Sequence, residues 1–252
     1  MLISIVTVTY NADKTLGKLL TNMRQVLSAF ADVEHVIVDG ASTDKTVEML
    51  ETYLHFSPNI KLLSEPDDGI YNAMNKGVQI SSGEYILHLN GDDWISDFEV
   101  FDELRNYLLH HHPLILSTPV EIYEGDRLYR TLPAQPINAF HAKFGFHFPH
   151  QGTFFCRKLF LEVGSYNERI GYIADKIFGF QLLDVLPPSA FHAVNKVAFS
   201  QSSGGVSSRS SLTPLKTFIL TIQSAKYVKF KHPIARPVFN LVFKLWMLLG
   251  FK

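Results

Sequence analysis

The chain has 252 residues and is 46% hydrophobic, which is enough for one large α/β domain, or for one domain with a tail. Its single cysteine, Cys156, excludes an internal disulfide, and the eleven histidines show no zinc-ligand spacing such as HExxH. The net charge of −1 hides an asymmetry: residues 185–252 carry nine basic and no acidic side chains, whereas residues 1–184 carry 14 basic and 24 acidic ones. The acidic body argues against general nucleic-acid binding, and the basic segment predicts a negatively charged partner.

The first 90 residues alternate between strands and helices. Apolar, β-branched runs predict strands at 2–9, 33–38, 60–63 and 85–89, and helical spacing predicts helices at 12–30, 43–53 and 70–80. Strands that alternate with helices form a parallel sheet with right-handed crossovers. In such a sheet, ligands bind beyond the carboxyl ends of the strands.

The second half of the chain is less regular. The pattern predicts helices at 98–109, 158–163 and 173–183, short strands within 114–132 and at 152–155, and a strand at 190–199. Residues 200–211 (SQSSGGVSSRSS) are rich in serine and glycine and predict a loop. Two more helices are predicted at 212–230 and 233–251, so we divide the chain into a domain at 1–211 and a helical extension at 212–252.

Acidic side chains stand where three of the first strands end. They are Asp39, Asp67, Asp68, Asp92 and Asp93. Carboxylates crowded at one edge of a sheet repel one another, and a divalent cation relieves that repulsion. Hard oxygen ligands favour Mg²⁺ or Mn²⁺, which bind diphosphates through few protein carboxylates. The alternative is that each aspartate only caps a turn or a helix, which is a less economical explanation for three positions at one edge.

Four stretches of the first 94 residues resemble the signatures of family 2 glycosyltransferases, which have the GT-A fold. They are SIVTVTYN at 4–11, VIVDGASTDKT at 36–46, EPDDGIYNAMNKG at 65–77 and GEYILHLNGDD at 83–93. The likeness thins after residue 130 and returns at 150–155, 172–175 and 204–207. Within the family, the chain looks most like bacterial exopolysaccharide enzymes of the colanic-acid type. The resemblance implies an α/β fold with a Rossmann-like, mostly parallel central sheet flanked by helices, divided into a nucleotide-binding half at 1–94 and an acceptor half at 95–211.

The resemblance assigns a nucleotide-sugar donor site to the first half of the chain. Four residues at the end of the first strand would line the nucleotide pocket: Thr7, Thr9, Tyr10 and Asn11. Asp39 would accept a hydrogen bond from the edge of the base. That contact favours uracil and therefore a UDP-sugar.

The remaining donor-site roles implied by the resemblance concern the sugar and phosphate groups. Asp67 or Asp68, together with Asn75, would face the ribose or the diphosphate. Asp92 would hold the ribose side, and Asp93 would bind the Mn²⁺ or Mg²⁺ ion. A metal at this position stabilises the negative charge that builds on the leaving nucleoside diphosphate.

The family's catalytic base is a carboxylate in the second half, and Asp175, in the run GYIAD, fits that pattern. It would take the proton of the acceptor hydroxyl as that oxygen attacks the anomeric carbon. A single carboxylate is sufficient for one displacement, which inverts the configuration. Glu168 is the alternative base. The sequence departs from the family at Lys176, where an aromatic or apolar residue is usual.

Three further features have both a functional and a structural interpretation. His147 and His150 are candidates for contact with an acceptor phosphate, or are ordinary structural histidines. The segment 204–207, with Arg209, is a candidate to close over the diphosphate, or is a solvent loop.

The extension at 212–252 combines basic and apolar side chains. Over residues 234–251 the apolar positions share one helical face, and Arg236 and Lys244 lie on the other side. Such a helix either packs on the body of the protein or lies in a membrane interface. The second case suits a lipid-diphosphate-linked acceptor, and it predicts a cytoplasmic protein at the inner face of the cytoplasmic membrane.

Other functional classes lack the sequence features that they need. A sugar nucleotidyltransferase needs a glycine-rich first loop for a triphosphate, and a dinucleotide-dependent oxidoreductase needs GxGxxG there, but residues 10–14 contain no glycine. A non-catalytic nucleotide- or carbohydrate-binding protein does not need both the Asp92-Asp93 pair and Asp175. The sequence therefore favours transfer of a sugar to a glycan or lipid-linked acceptor.

Overall fold

The computed structural model describes residues 1–137 and 149–203, with the single positions Ile219 and Gln223. The extension at 212–252 lies outside the described residues except for those two positions. So do His147, the segment 204–207 and Arg209. The boundary at residue 211 and the roles given to these residues therefore stay predictions.

The described residues form eleven strands and six α-helices, together with short 3-10 turns. The strands are β1 (Ile3–Thr9), β2 (Val33–Asp39), β3 (Ile60–Ser64), β4 (Tyr85–His88), β5 (Asp93–Ile95), β6 (Ile115–Ser117), β7 (Val120–Glu124), β8 (Arg127–Leu132), β9 (Thr153–Cys156), β10 (Phe191–Ala193) and β11 (Phe199–Ser202). The helices are α1 (Leu16–Ala29), α2 (Thr46–Leu54), α3 (Ile70–Ile80), α4 (Phe98–His111), α5 (Lys158–Glu162) and α6 (Ala174–Val185). The turns are His150–Gly152, Glu168–Ile170 and Pro188–Ala190.

A seven-stranded sheet in the order β10-β6-β9-β4-β1-β2-β3 forms the centre of the molecule. β1 pairs in parallel with both β2 and β4, and β3 continues the parallel run beyond β2. β9 is antiparallel to β4 and β6, whereas β10 is parallel to β6. β1 and β2 are buried almost throughout, as expected for strands covered on both faces. The mostly parallel α/β sheet of the GT-A prediction is thus confirmed, with one reversed strand that joins the two halves of the chain.

A second sheet, in the order β5-β11-β7-β8, is not apparent from the sequence pattern. The strand predicted at 190–199 divides into β10 in the central sheet and β11 in the second one. β11 is antiparallel to β5 and parallel to β7. Its pairing with β5 holds Asp93, the first residue of that strand, in the second sheet. β8 is the outer edge of this sheet, and its residues are exposed.

The helices bury one face and expose the other. α1 buries six apolar residues: Leu16, Leu19, Leu20, Met23, Val26 and Leu27. Asn22, on the same helix, donates to the carbonyl oxygen of Ile95 and accepts from its backbone N–H, each at 2.9 Å, which fastens α1 to β5. α4 begins where Asp97 accepts from the N–H of Val100 at 2.9 Å, and it ends at His112, which has a left-handed φ of 45°.

Within the described residues, no helix is both long and apolar enough to span a bilayer.

One carboxylate is buried at the amino ends of the central strands, in a network that links β1, β2 and the start of β4. Glu34 is 1% exposed and accepts from Ser4 Oγ at 2.5 Å, from Ser82 N at 2.6 Å and from Lys61 Nζ at 2.9 Å. Gly83 donates its N–H to Ser4 Oγ at 2.8 Å. Burial raises the pKa of Glu34, but the donors outweigh burial and lower the pKa to about 2. The ionised network therefore fixes the connection between α3 and β4.

Two buried histidines make stability depend on pH. His35 and His88 are fully buried, and burial lowers the pKa of His35 to about 3 and that of His88 well below its ordinary value. Both ring nitrogens of His88 lack a hydrogen-bond partner among the described residues. Each histidine is therefore neutral in the folded protein and takes up a proton on unfolding below pH 6.5. Its contribution to stability is complete above pH 6.5 and is lost as the pH falls toward the folded pKa.

We expect the His88→Phe variant to lose less stability in acid than the wild type. Phenylalanine keeps an aromatic ring that can stack on His150, as the His88 ring does. It has no group to protonate in the unfolded chain. Relative to pH 7.5, the wild type should lose about 1.4 kcal/mol more than the variant at pH 5.5. Urea unfolding of both proteins at both pH values measures the difference. Parallel losses in the two proteins would show that His88 is not neutral when folded.

Candidate functional site

The carboxyl ends of β1, β2 and β3 lie side by side at one edge of the central sheet. The strand register pairs Thr9 with Asp39 and Asp39 with Ser64. On the other side of β1, the N–H of Leu89 bonds to β1 at the end of β4, and the turn that carries Asp92 and Asp93 follows. The acidic positions predicted from the sequence thus lie along one edge, where parallel sheets bind ligands.

Asp39 is fully buried, and its carboxylate is surrounded by donors. Oδ1 accepts from Thr9 Oγ1 at 3.0 Å and from Ser42 Oγ at 2.5 Å. Oδ2 accepts from Ser42 N at 2.9 Å and from Ser64 Oγ at 3.0 Å. These four bonds use the acceptor positions of a carboxylate, so a nucleobase gains a bond to Asp39 only where a serine hydroxyl rotates away. The same bonds explain why α2 begins at Thr46 and not at residue 43, because Ser42 is held by Asp39.

The turn after β1 forms an exposed rim beside Asp39. Asn11 has a left-handed φ of 48°, donates its N–H to Ser42 Oγ at 2.8 Å, and accepts from Thr43 N at 2.9 Å through Oδ1. The adjacent Tyr10 is 65% exposed. An exposed aromatic ring next to a buried carboxylate suits the face and the edge of a nucleobase. Tyr10 and Asn11 therefore lie beside Asp39 at the carboxyl end of β1, and their contact with a nucleotide stays a prediction.

Thr7, which was predicted to line the same pocket, faces the interior. It is fully buried, and its hydroxyl donates to the carbonyl oxygen of Leu89 at 2.7 Å. Its Oγ1 also lies 3.0 Å from Nε2 of His35, whose Nδ1 lies 2.9 Å from the hydroxyl of Tyr53. Residues of β1 alternate between the two faces of the sheet, and Thr7 supports β1 from inside. The expectation that its side chain contacts the nucleotide is therefore wrong.

The turn before α3 brings a second carboxylate to the edge. Asp67 Oδ1 accepts from the N–H of Gly69 at 2.8 Å, and Gly69 has a φ of 115°. Asp67 Oδ2 lies 2.5 Å from the position that a Cβ on Gly40 would take. Only glycine at position 40 leaves room for this approach, so the loops after β2 and β3 meet beside Asp39. Asp68 is exposed, and its N–H donates to Asn72 Oδ1 at 3.4 Å.

Asp92 and Asp93 form the turn between β4 and β5. Asp93 is 2% exposed, and its Oδ2 accepts from Asn90 N at 2.6 Å. Burial raises the pKa of Asp93 well above its ordinary value, and the negative charge of Asp92 raises it further. The carbonyl oxygen of Asp92 accepts from Ser202 N at 3.0 Å, so β11 holds the turn in position.

The acidic turn fits a cation that the substrate itself helps to bind. Within residues 1–137 and 149–203, no three His, Cys, Asp or Glu side chains converge on a metal position. Mg²⁺ and Mn²⁺ need few protein carboxylates when a diphosphate and water supply the other oxygens. In the same turn, Asn90 Oδ1 is buried without a hydrogen-bond partner among the described residues, as is Oε1 of Gln201, which pairs with Asp93 across β5 and β11. Carboxylate and amide oxygens suit these hard cations, and a cation would relieve the repulsion between Asp92 and Asp93.

Asn75 does not face the donor edge, contrary to the prediction of a ribose or diphosphate contact. It is 6% exposed, and its Oδ1 accepts from Tyr166 N at 3.0 Å. Its Nδ2 donates to the carbonyl oxygen of Tyr166 at 2.9 Å and to Glu168 Oε1 at 2.8 Å. These bonds use both ends of the amide. Asn75 therefore ties α3 to the acceptor half of the chain.

The two candidate bases have different surroundings. Glu168 is held by two amides, since Asn75 Nδ2 bonds to Oε1 at 2.8 Å and Asn72 Nδ2 bonds to Oε2 at 3.0 Å. Asp175, in the first turn of α6, accepts from the hydroxyl of Tyr71 at 2.9 Å through Oδ1. No hydrogen bond from the described residues engages its Oδ2. Asp175 thus has one oxygen without a hydrogen-bond donor among the described residues, whereas each oxygen of Glu168 already accepts from an amide.

A layer of aromatic and histidine rings lies beneath Asp175. His150 Nε2 lies 2.8 Å from the hydroxyl of Tyr166, and its ring stacks on His88 with centroids 4.9 Å apart. Burial lowers the pKa of His150, and the negative charge of Asp175 opposes that shift. One ring nitrogen of His150 is therefore committed to an internal contact rather than to an acceptor phosphate.

The sequence did not single out Tyr71, Asn72 or Tyr166. The first two lie within the third family-like stretch, at 65–77, and with Asn75 they stand at positions i, i+1 and i+4 of one helix. Asn75 thus shares a helical face with each of the other two, at spacings of four and three residues, which is a signal for a specific contact. Their partners are more than 90 positions away along the chain and cannot be identified from periodicity.

Comparisons with known proteins agree with this geometry. Residues 4–164 match the model of the glycosyl transferase family 2, which is more than half of the chain. A PGL/p-HBAD biosynthesis glycosyltransferase of Mycobacterium bovis (strain BCG / Pasteur 1173P2) is 30% identical over 185 residues, which cover 70% of this chain and 68% of the relative. An uncharacterized glycosyltransferase of Mycobacterium tuberculosis (strain H37Rv) is 26% identical over 196 residues, which cover 76% and 72% of the two chains.

Solved structures share the fold at low sequence identity. Residues 1–349 of S. aureus TarS, in complex with UDP-GlcNAc, superpose with a TM-score of 0.71 at 18% identity, covering 100% of this chain and 74% of that one. The mannosyltransferase PcManGT from Pyrobaculum calidifontis, in complex with GDP-Man and Mn²⁺, gives a TM-score of 0.61 at 15% identity, covering 99% and 75%. With the family match and the donor-edge geometry, these likenesses identify the chain as a member of glycosyl transferase family 2, a glycosyltransferase with a GT-A fold.

Proposed function

We propose that this glycosyltransferase moves a sugar from a UDP-sugar to a glycan or lipid-linked acceptor, with inversion and with the help of a divalent cation. The observation that carries the proposal is the position of α3. Its first turn follows Asp67 at the donor edge, and Tyr71 on the same helix bonds to Asp175. A carboxylate with one oxygen that no described residue engages is thus held close to the edge at which a nucleotide-sugar would bind.

The donor part of the proposal rests on the rim formed by Tyr10 and Asn11 and on Asp39 beneath it. Asp39 accepts from uracil after a small movement of Ser42 or Ser64. TarS has been solved with UDP-GlcNAc and UDP, and PcManGT with GDP-Man, so UDP and GDP are both candidates for the donor nucleotide. Asp67 or Asp68 would face the ribose or the diphosphate of the donor.

Asp92 and Asp93 are the residues that would hold Mn²⁺ or Mg²⁺, with Asp92 also on the ribose side. When bound, the cation supplies positive charge against the diphosphate oxygens of the donor. The chain's own contribution is the buried, strand-held turn, in which Asn90 N already orients the Asp93 carboxylate. Because Asn90 and β11 already hold this turn, its atoms need to move little when the donor binds.

Asp175 is proposed as the base of a single displacement. The acceptor oxygen forms a bond to the anomeric carbon, the bond from that carbon to the diphosphate breaks, and the acceptor proton moves to Asp175 Oδ2. Attack from the face opposite the leaving group inverts the configuration. Two amides orient the Glu168 carboxylate toward α3, so we do not propose it as the nucleophile of a double displacement.

The acceptor side of the proposal rests on charge. The nine basic and no acidic side chains of residues 185–252 favour a negatively charged partner, such as a lipid diphosphate at the inner face of the cytoplasmic membrane. The relative from Mycobacterium bovis is named for PGL/p-HBAD biosynthesis. We propose contact with the membrane surface through 212–252 on this ground.

Thermal shifts with UDP, GDP and dTDP, each with and without Mn²⁺, test the donor site. UDP with Mn²⁺ at 100 times its dissociation constant should stabilise the wild type by about 2.7 kcal/mol. Asp93→Asn should remove the metal-dependent part and still fold, because asparagine retains an oxygen for Asn90 N. The exposed Asp126→Asn variant, on the β7–β8 turn, is the control and should respond like the wild type. If no nucleotide shifts the wild type in the presence of metal, the donor site is wrong and a carbohydrate-binding role moves ahead.

A further inference from the structure

Helix α3 lies between the donor edge and the acceptor half. The turn before it carries Asp67, which packs against Gly40 at the donor edge. Two residues into the helix, the hydroxyl of Tyr71 reaches Asp175, which is 104 positions further along the chain. Among the described residues, this is the only hydrogen bond between side chains that reaches the Asp175 carboxylate.

The remaining polar contacts of α3 fix the backbone that leads to α6. Asn75 binds both the N–H and the carbonyl oxygen of Tyr166, and it shares Glu168 with Asn72. These bonds hold the segment 166–168 against α3. They do not touch the Asp175 side chain, so the orientation of its carboxylate depends on Tyr71.

The surroundings of Tyr71 keep its hydroxyl in the donor role. Its ring packs against that of Tyr166 with centroids 5.4 Å apart. Burial raises the pKa of Tyr71 well above its ordinary value, and the negative charge of Asp175 raises it further. The hydroxyl therefore stays protonated and donates to Asp175 Oδ1.

We propose that Tyr71 is a positioning residue, which holds Asp175 so that Oδ2 faces the acceptor hydroxyl. This inference rests on the proposed function, in which Asp175 is the base. During transfer, the acceptor proton moves to Oδ2, the acceptor oxygen bonds to the anomeric carbon, and the diphosphate leaves with the electrons of the broken bond. Tyr71 donates to Oδ1 throughout and is not consumed. A carboxylate held by one oxygen loses less freedom at the moment of reaction than one that rotates.

The Tyr71→Phe variant removes this one hydroxyl and keeps the ring. The assay is the release of UDP from UDP-GlcNAc into water, or of GDP from GDP-mannose if the thermal shifts select GDP. We expect kcat to fall about 10-fold to 100-fold, because a misplaced base loses part of its catalytic contribution, while KM for the donor changes less than twofold. Tyr107→Phe is the matched control, because it removes a hydroxyl that lies 2.8 Å from His192 at the far edge of the sheet. It should leave both constants unchanged.

A double-mutant cycle separates positioning from a merely structural role. If Tyr71 acts through Asp175, adding Tyr71→Phe to Asp175→Asn should reduce the residual rate less than twofold. A full, additive loss in that background, a wild-type kcat for Tyr71→Phe, or a rise in KM alone would each overturn the inference. An Asp175→Asn enzyme with the wild-type rate would instead overturn the base assignment in the proposed function, so the two failures are distinguishable.

Discussion

The Asp175→Asn enzyme should release nucleotide from its donor at least about 100-fold more slowly than the wild type, and it should still bind the donor. Asparagine has nearly the same shape and keeps an oxygen for the Tyr71 hydroxyl, but it cannot take the acceptor proton. Loss of a general base costs about 100-fold to 10,000-fold. Nucleotide release measures the rate, and the thermal shift with UDP and Mn²⁺ measures donor binding on the same sample.

Glu168→Gln is the comparison for this prediction. Its side chain is anchored by Asn72 and Asn75, so glutamine should disturb that anchor and slow the reaction less than tenfold. A larger loss in Glu168→Gln than in Asp175→Asn would exchange the roles of the two carboxylates. Equal and large losses accompanied by lost donor binding would show that both variants disturb the fold.

Gly83→Ala should destabilise the protein strongly, because the added methyl group would meet the backbone of β1. A Cβ at this position would lie 2.5 Å from Ser4 N and 2.8 Å from the carbonyl carbon of Ile3, both backbone atoms of β1. Relief requires β1 or the start of β4 to move, which also breaks the bonds around Glu34. We expect a loss of about 3 kcal/mol, or a melting temperature lower by about 6 to 12 °C for a chain of this size.

Gly17→Ala provides the matched control for this substitution. Gly17 lies in α1, and the nearest heavy atom to its Cβ position is Met49 Cε at 3.9 Å, which is ordinary contact. Alanine should therefore stabilise the helix by up to about 1 kcal/mol. Calorimetric melting of the two variants beside the wild type checks both signs. A Gly83→Ala protein as stable as Gly17→Ala would contradict the tight approach of β4 to β1.

The parallel part of the fold was predictable because its signals are local. The apolar runs that became β1, β2 and β4 alternate with helical patterns, and this order alone implies a parallel sheet. The second sheet was not predictable in this way. β5 and β11 have three and four residues, and they pair across about 100 positions of the chain. Short strands with distant partners leave no periodicity that a sequence pattern can detect.

The same difference between local signals and distant partners decides which site residues could be predicted. The acidic residues at strand ends, Asp39, Asp67 and the Asp92-Asp93 pair, could be assigned to one edge because parallel topology fixes where strands end. Thr7 and Asn75 could not be assigned correctly, because the direction of one side chain depends on a tertiary partner. Thr7 bonds to Leu89 and Asn75 to Tyr166, at separations of 82 and 91 positions.

The exposed edge strand β8 bears on how the protein behaves at high concentration. Its outer side has no strand partner among the described residues, and an open edge is a template for pairing with another molecule. Arg127 and Arg130 stand on this strand, beside the exposed Leu128 and Tyr129. Two identical edges would bring these like charges together, so the arginines oppose self-association that the apolar side chains would otherwise favour. We therefore expect Arg127 and Arg130 to limit the pairing of this open edge with a second copy of the chain.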